Sequence, residues 1–297
     1  MLFGDERYKD INSLINNILE NKKHLIAVHR GSWAGNIIQN TIPAYRNAFK
    51  MGAELVECDI NRTTDGVLYS FHDGYENFLF HINKSIKCMS SSEINSLHPY
   101  NSVGFQNKNG IDTLDSILNW LPSNKLLNID RAWDIFPYLL EELDKHPNII
   151  KNVIIKSPVN GSFHGVEVND ALSVLSKHNV KYMYMAICND LDDVKKALSL
   201  KDINLVGCEL IAKKEDNALY KKETIEYIHS KNLFTWVNAI ELGNYKRDHL
   251  FGKLDDDISL ENPDLGWGKL FEMNIDIIQT DWPALLYNYR KEKLNIE

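Results

Sequence analysis

The fold is indicated by residues 25–60, which read LIAVHRGSWAGNIIQNTIPAYRNAFKMGAELVECDI. Two short runs rich in branched apolar residues, Leu25–His29 and Glu54–Ile60, flank a longer amphipathic segment, Thr41–Met51, which Gly52 closes. A buried strand, a helix and a second buried strand form the unit from which parallel sheets are built. This stretch therefore predicts one β-α-β unit.

The same alternation continues along the chain. Six further strands are predicted at Lys125–Asp130, Val153–Lys156, Lys181–Ile187, Asn204–Ile211, Leu233–Val237 and Ile275–Thr280, and further helices at Trp133–His146, Val168–His178, Leu191–Leu200 and Tyr220–Lys231. Eight such strands in a chain of 297 residues predict an α/β fold, a (β/α)8 TIM barrel, that forms a single domain over residues 1–297.

Three segments depart from the regular alternation. Val67–Phe71 follows the second strand across Asp65-Gly66, and an Asp-Gly pair between apolar runs predicts a hairpin beside that strand. A polar stretch around 74–111 predicts a small insertion after the second strand, and Ala239–Trp267 is a second irregular segment, after the seventh strand. Both irregular segments are expected at the face where barrel enzymes build their sites.

Composition excludes several classes of protein. Apolar residues make up 44% and charged residues 25% of the chain, as in ordinary globular proteins. Because the net charge is −8, we expect no nucleic-acid partner. No apolar run approaches the roughly 20 residues of a membrane span, and the first residues lack the pattern of an export signal. The four scattered cysteines, Cys58, Cys88, Cys188 and Cys208, favour a reduced, cytoplasmic setting.

Ionisable residues follow the first strand directly. His29 and Arg30 end this strand, and Gly31 permits an unusual turn there. A His and an Arg at the functional face of a barrel are suited to acid–base chemistry and to anion binding. A hydrogen-bonded strand-end His beside a solvated Arg is the alternative interpretation.

Two carboxylates lie on one side of the second strand. Glu57 and Asp59 are two residues apart and point the same way, whereas Cys58 points away. Like charges held together in a partly buried barrel mouth favour a hard divalent cation between them. Hydrated carboxylates on a strand that emerges into solvent are the alternative.

Polar residues also end the other predicted strands. His72, followed by Asp73, brings a second imidazole back beside the second strand, with a surface turn as the alternative. Asp130 would complete a set of three carboxylates, with a helix N-cap as the alternative. The remaining strand ends carry Lys156, Trp236-Val237-Asn238 and Thr280-Asp281-Trp282-Pro283. Such residues at the ends of at least six of the eight predicted strands favour an enzyme.

An ordered set of short motifs resembles the glycerophosphodiester phosphodiesterase family. The chain contains, in the family's order, His29-Arg30-Gly31, Gln39-Asn40-Thr41, Gly52-Ala53-Glu54, Glu57-Cys58-Asp59, Thr64-Asp65-Gly66 and His72-Asp73. The resemblance resumes at Asn128-Ile129-Asp130, Trp236-Val237-Asn238 and residues 276–283. It therefore spans nearly the whole chain.

This resemblance implies a barrel related to phospholipase C-like phosphodiesterases. Such a barrel cleaves a small glycerophosphodiester to an alcohol and glycerol phosphate, using two histidines and one divalent cation, Mg2+ or Ca2+. The histidine pair maps to His29 and His72, two of the cation ligands map to Glu57 and Asp59, and Arg30 maps to a phosphate-binding position.

Several positions depart from the family pattern. Gln39 replaces a Glu, Asp130 replaces the longer Glu usual for the third cation ligand, and Ala132 stands where a Lys is usual. We expect Lys156, on the next strand, to supply the missing positive charge. Trp236 is shifted by one residue relative to the family, so its contacts with substrate, and those of Asn238, are expected to differ.

Two alternative functions stay open on the sequence. A phospholipase C-like enzyme would form a cyclic phosphate by attack of a substrate hydroxyl. A catalytically silent barrel would bind a phosphorylated ligand without cleaving it, as the changes at Asp130 and Ala132 allow.

Overall fold

A computed structural model describes residues 2–242 and 248–295. The strands within these ranges are β1 (Leu25–Val28), β2 (Leu55–Arg62), β3 (Leu68–Ser70), β4 (Leu126–Asp130), β5 (Val153–Pro158), β6 (Ser162–Phe163), β7 (Val166–Glu167), β8 (Met183–Cys188), β9 (Asn204–Leu210), β10 (Phe234–Asn238), β11 (Glu241–Leu242), β12 (Asp248–His249) and β13 (Ile277–Thr280). The α-helices are α1 (Ser13–Lys22), α2 (Ile42–Lys50), α3 (Glu76–Phe80), α4 (Ser91–Asn95), α5 (Leu114–Trp120), α6 (Phe136–Asp144), α7 (Val168–Lys177), α8 (Leu191–Ser199), α9 (Lys222–His229), α10 (Asp256–Glu261), α11 (Trp267–Glu272) and α12 (Pro283–Leu294).

Eight of the described strands form a closed parallel barrel. They pair in the order β1, β2, β4, β5, β8, β9, β10 and β13, and β13 pairs with β1 to close the ring. Helices lie between successive barrel strands along the chain. The predicted (β/α)8 barrel is confirmed.

Among the predicted elements whose boundaries differ, two differ for a clear physical reason. β2 continues to Arg62 because β3 pairs with its end in antiparallel fashion, which confirms the predicted hairpin. The helix predicted at Trp133–His146 is divided into a 3-10 turn, Trp133–Ile135, and α6. Pro137 lies in the first turn of α6, where its missing N–H costs no hydrogen bond.

The lower half of the barrel interior is apolar. Its inward side chains are fully buried and include Leu25, Leu55, Leu126, Ile154, Met183, Phe234, Trp236 and Ile277. Phe3 and the apolar face of α1, which the sequence did not predict, pack against this layer. A second and larger core fills the space between the outer face of the sheet and the surrounding helices. Functional groups can therefore gather only above the apolar layer, at the carboxyl ends of the strands.

The two irregular segments lie near those strand ends. Residues 74–111 contain α3 and α4, and they pack on β3 around a small cluster that includes Tyr69, Phe71 and Phe80. The second segment, Ala239–Trp267, contains β11, β12 and α10, but its residues 243–247 lie outside the described residues. Among residues 2–242 and 248–295, no helix combines the length and the apolar character that crossing a bilayer requires.

Candidate active site

The turn after β1 brings backbone and side chain into the barrel mouth. Arg30 and Gly31 both have left-handed φ, +54° and +74°. A Cβ on Gly31 would lie 2.7 Å from the carbonyl carbon of Ala44 in α2, so only glycine fits there. The turn directs the Arg30 backbone N–H to Glu57, whose Oε2 accepts it at 3.0 Å.

Three carboxylates meet in this mouth. Asp59 on β2 lies in register with Asp130 on β4, and Glu57 lies two residues earlier on the same face of β2. One oxygen from each of Glu57, Asp59 and Asp130 lies within 4.8 Å of the others. Glu57 and Asp59 are buried, and Asp130 is partly exposed. Three hard oxygen donors at this spacing fit a divalent cation such as Mg2+ or Ca2+.

The buried carboxylates of β2 have opposite pKa shifts. Burial is the main cause that raises the pKa of Glu57 well above its ordinary value, and the charges of Asp59 and Asp130 raise it further. Burial also acts to raise the pKa of Asp59, but Arg30 and His72 outweigh it and lower that pKa. The mouth therefore holds excess negative charge that a cation would relieve.

The Arg30 guanidinium lies beside these carboxylates. Its Nε is 3.2 Å from Asp59 Oδ2, and its Nη1 donates to Gln39 Oε1 at 2.7 Å. The guanidinium also lies over the ring of Tyr75, 4.6 Å from its centroid. Asn40 donates to Asp59 at 2.8 Å, so the Gln39-Asn40 pair orients both charged partners.

Each of the two histidines has an oxygen atom near its Nδ1. His29 Nδ1 is 3.5 Å from Asp281 Oδ1, and His72 Nδ1 is 2.7 Å from the carbonyl oxygen of Asp73. The carbonyl acceptor at Nδ1 of His72 favours the tautomer that leaves its Nε2 available for proton exchange. The charges of both imidazoles act on Asp59 and lower its pKa. Burial is the largest cause that lowers the pKa of His72 below its ordinary value.

Lys156 points from β5 into the mouth. Its Nζ lies 3.0 Å from Asp130 Oδ2 and 3.0 Å from Glu209 Oε2. Burial acts to lower the pKa of Lys156, but Asp130 and Glu209 outweigh it and raise that pKa, which keeps the ammonium charged. Glu209 in turn accepts a hydrogen bond from Asn238 Nδ2 at 2.6 Å.

Trp236 lies below this polar layer. Its ring is fully buried, its Nε1 donates to Asn238 Oδ1 at 2.8 Å, and Lys156 Nζ lies 5.7 Å from the ring centroid. These contacts make the ring a support for Lys156 and Asn238, and its contact with substrate stays a prediction. Ala132 is buried in the apolar core outside the barrel.

A charged cluster lies next to His72. Arg131 contacts Asp73 Oδ1 through Nε and Nη2, each at 2.9 Å. Lys87 of the 74–111 segment is 3.8 Å from Asp73, and His164 Nε2 is 3.1 Å from the same carboxylate. The cluster joins the loops after β3, β4 and β6 on the His72 side of the mouth.

A buried carboxylate supports the other side, next to His29. Asp256 accepts hydrogen bonds from Thr280 Oγ1 at 2.8 Å, Trp267 Nε1 at 3.0 Å and the Asp281 backbone N–H at 2.8 Å. Burial is the main cause that raises the pKa of Asp256 to about 7. Through these bonds Asp256 fixes the loop that carries Asp281, the partner of His29.

The structure thus brings together all the predicted site residues except Trp236, which lies beneath them. It adds Glu209 and Asp256, to which the sequence assigned no role, and it places Asp281, named from the sequence only as a strand-end residue, next to His29. Glu209 follows the apolar run Leu205–Cys208 near the carboxyl end of a predicted strand. This position could have identified it from the sequence as a candidate site residue. Asp256 gave no such signal, since its partners are distant in sequence.

The chain is a (β/α)8 barrel with an acidic mouth flanked by two histidines. The sequence model of the Glycerophosphoryl diester phosphodiesterase family matches residues 29–234. The chain therefore belongs to the glycerophosphoryl diester phosphodiesterase family, whose members are phosphoric diester hydrolases. A second model, described as a domain of unknown function, matches residues 182–290.

A curated relative supports the family over a short stretch. The chain is 41% identical over 51 residues to a glycerophosphodiester phosphodiesterase of Caldanaerobacter subterraneus subsp. tengcongensis. This stretch is 17% of the chain and 21% of that protein, so the chain spans about a fifth of the length of the curated relative it matches.

Solved structures with the same fold cover the whole barrel. A glycerophosphoryl diester phosphodiesterase from Parabacteroides distasonis has a TM-score of 0.72 at 15% identity, covering 99% of this chain and 94% of that one. A phosphodiesterase from Oleispira antarctica, solved in complex with the product sn-glycerol-3-phosphate, has a TM-score of 0.62 at 15% identity, covering 90% and 96%. At these identities the likeness concerns the fold.

Proposed function

We propose that this protein is a metal-dependent phosphodiesterase that cleaves a glycerophosphodiester to an alcohol and glycerol phosphate. The observation that carries the proposal is the meeting of Glu57, Asp59 and Asp130 beside both histidines. Family membership supports the reaction class. The bound sn-glycerol-3-phosphate of the Oleispira antarctica protein supports the product class.

In this proposal Glu57, Asp59 and Asp130 hold one Mg2+ or Ca2+ ion. Their oxygens match the preference of both ions for carboxylate ligands. When bound, the ion neutralises charge on the non-bridging phosphate oxygens. Asn40 and Arg30 hold the Asp59 carboxylate in position for this role.

Two imidazoles divide the proton transfers. Water attacks phosphorus and gives its proton to Nε2 of His72; if a hydroxyl of the glycerol moiety attacks instead, a cyclic phosphate forms, and water opens it in a second step to give glycerol phosphate. The bond from phosphorus to the leaving alcohol breaks with its electron pair on oxygen, which takes a proton from Nε2 of His29. The lowered pKa of His72 supports its role as the base, because it favours the neutral imidazole.

Two positively charged side chains assist binding of the phosphate. Arg30 presents a guanidinium already oriented by Gln39 and Asp59, a group well suited to phosphate oxygens. Lys156 supplies the positive charge of the Lys that is usual at the position of Ala132. It can do so because its strand, β5, is adjacent to β4, the strand that precedes Ala132. Its contact with Asp130 at 3.0 Å supports this substitution across strands.

The proposal is tested by release of glycerol phosphate from a short-chain glycerophosphodiester. We expect turnover with Mg2+ or Ca2+ and none with excess chelator. The exposed His98 offers a matched control, so His98→Ala should retain the rate that His72→Ala loses. A folded protein that binds the cation yet releases nothing from any glycerophosphodiester would instead be a binding barrel.

A further inference from the structure

An apolar groove lies beside the barrel mouth. It runs between the turn after β1 and the first turn of α12, and it has a volume of about 510 Å3. Its apolar lining includes Trp33, Met51, Trp282, Pro283 and Leu285. This volume is in the range of small-molecule sites, whereas protein docking surfaces are usually wider and flatter.

The large side chains of this groove are exposed to solvent. Trp33 is 36%, Trp282 48% and Leu285 46% exposed. Isolated exposed apolar residues are ordinary, but three bulky ones lining one concave surface indicate a binding site. The grouping of these three side chains therefore favours binding of an apolar ligand.

Two residues of the groove lining are close to one of the two histidines, His29. Asp281 lines it, and Oδ1 of the same residue is 3.5 Å from His29 Nδ1. Gly31, two residues after His29, lines it as well. A substrate whose phosphate lies at the mouth can thus extend one substituent past His29 into the groove.

The His72 side of the mouth is charged. His72 adjoins the cluster of Asp73, Arg131, Lys87 and His164. A glycerol moiety with free hydroxyls suits that polar side, and a hydrocarbon suits the groove. The two sides of the mouth are therefore matched to the two different substituents of one phosphodiester.

We propose that the groove binds the hydrocarbon portion of the leaving alcohol, so that the preferred substrates are glycerophosphodiesters of apolar alcohols. This inference rests on the proposed function and names its substrate class. It also explains the assignment of His29 as the acid. The oxygen that leaves phosphorus with the bonding electron pair lies at the groove entrance, where His29 Nε2 supplies its proton.

The test is a series of glycerophosphoalkanols, from ethanol to decanol, assayed below the critical micelle concentration and, for the members that form micelles, above it as well. We expect kcat/KM to rise by up to about fourfold for each methylene that the groove buries, and then to level off. Leu285→Ser and Trp282→Ala should flatten this rise. Leu265→Ser is the matched control, since Leu265 is 50% exposed and lies outside the groove lining.

Each outcome decides between the two proposals. If no glycerophosphodiester, within or outside the series, is hydrolysed, the proposed function fails; if only those of polar alcohols are hydrolysed, the proposed function stands and the groove assignment is overturned. If all members of the series are hydrolysed with the same kcat/KM, the proposed function stands and the groove assignment is overturned. A rise that appears only above the micelle concentration would identify a lipid surface as the ligand, and equal flattening in Leu265→Ser would remove the groove from the explanation; either result overturns the assignment.

Discussion

The interior of the barrel contains an apolar lower layer and a charged upper layer, and the innermost groups of both layers are buried. The lower layer is built from side chains such as Leu126, Ile154 and Phe234, each fully buried. The upper layer places Glu57 and Lys156 only a few residues further along the same strands, again almost without exposure. Burial therefore does not distinguish Glu57 and Lys156 from the lower layer, but their charge does.

This difference separates what stabilises the fold from what the site requires. Burying an apolar side chain contributes roughly 1.5–3 kcal/mol to folding. Burying like-charged carboxylates disfavours folding unless a cation or a proton compensates. The raised pKa of Glu57 reflects that cost. The lower layer is thus the stabilising core, and the upper layer is retained for binding and chemistry.

The largest effect should come from the histidines at the mouth. His29→Ala and His72→Ala should each reduce the turnover of an alkyl glycerophosphodiester about a hundredfold to ten-thousandfold, the usual loss for a positioned acid or base. Steady-state kinetics would measure this, with circular dichroism to show that the fold is retained. A loss below tenfold in either variant would contradict the assignment.

An activated substrate sharpens that result. A p-nitrophenyl diester releases a phenolate that needs no proton, so His29→Ala should impair its cleavage far less than that of an alkyl diester. His72→Ala should impair both substrates alike. Equal losses on both substrates in both variants would contradict this division of roles.

Removing a side chain from the lower layer should act on stability. We expect Ile154→Ala to lower the free energy of unfolding by about 2–5 kcal/mol, because it leaves a cavity in a packed core. Urea denaturation would measure this change. Cation binding by the folded fraction should be retained, and a loss below about 1 kcal/mol would show that this layer is not the stabilising core.

Asp256, which supports the mouth from outside the barrel, should make stability depend on pH. Its pKa of about 7 in the folded protein lies above the ordinary 3.8, so the folded chain keeps a proton that the unfolded chain loses. The contribution of this protonated carboxyl to the free energy of unfolding is complete below about pH 4, and it is lost as the pH rises through 7. Between these values wild-type should lose up to about 4 kcal/mol of unfolding free energy relative to Asp256→Asn.

Urea denaturation at a series of pH values would check this dependence. Asp192, whose side chain is 88% exposed, provides the control. The free energy of unfolding of Asp192→Asn should depend on pH as that of wild-type does. If Asp256→Asn also showed the wild-type pH dependence, Asp256 would not retain a proton in the folded protein.

The smallest effect should come from neutralising a charge in the upper layer. In chelator, Glu57→Gln should leave the free energy of unfolding within about 1 kcal/mol of wild-type or raise it, since one of several like charges is removed. Urea denaturation beside Ile154→Ala gives the direct contrast between the layers. A loss of 3 kcal/mol or more would mean that the carboxylate stabilises the fold.

Much of this arrangement could be predicted from the sequence. The spacing of apolar residues and the residue types at the ends of strands are local signals. They therefore located the barrel strands and the carboxylates of Glu57, Asp59 and Asp130. The alternation of β2 also placed Glu57 and Asp59 on one face. These predictions needed no knowledge of distant contacts.

The remaining features depend on tertiary contacts. The role of Asp256 arises from hydrogen bonds to residues 24 and 25 positions away, and that of Glu209 from Lys156 on another strand. The apolar groove forms where the turn after β1 meets α12, at nearly opposite ends of the chain. Such pairings are set by closure of the barrel and leave no local pattern.

The most direct test of the charged upper layer is calorimetric titration with Mg2+ and with Ca2+. Wild-type should bind one ion per chain, and Glu57→Gln should bind it at least about tenfold more weakly. Asp115→Asn is the matched control, because Asp115 belongs to a separate acidic cluster, with Glu142 and His146, that involves none of the mouth residues. Unchanged affinity in Glu57→Gln, together with lost affinity in Asp115→Asn, would contradict the account.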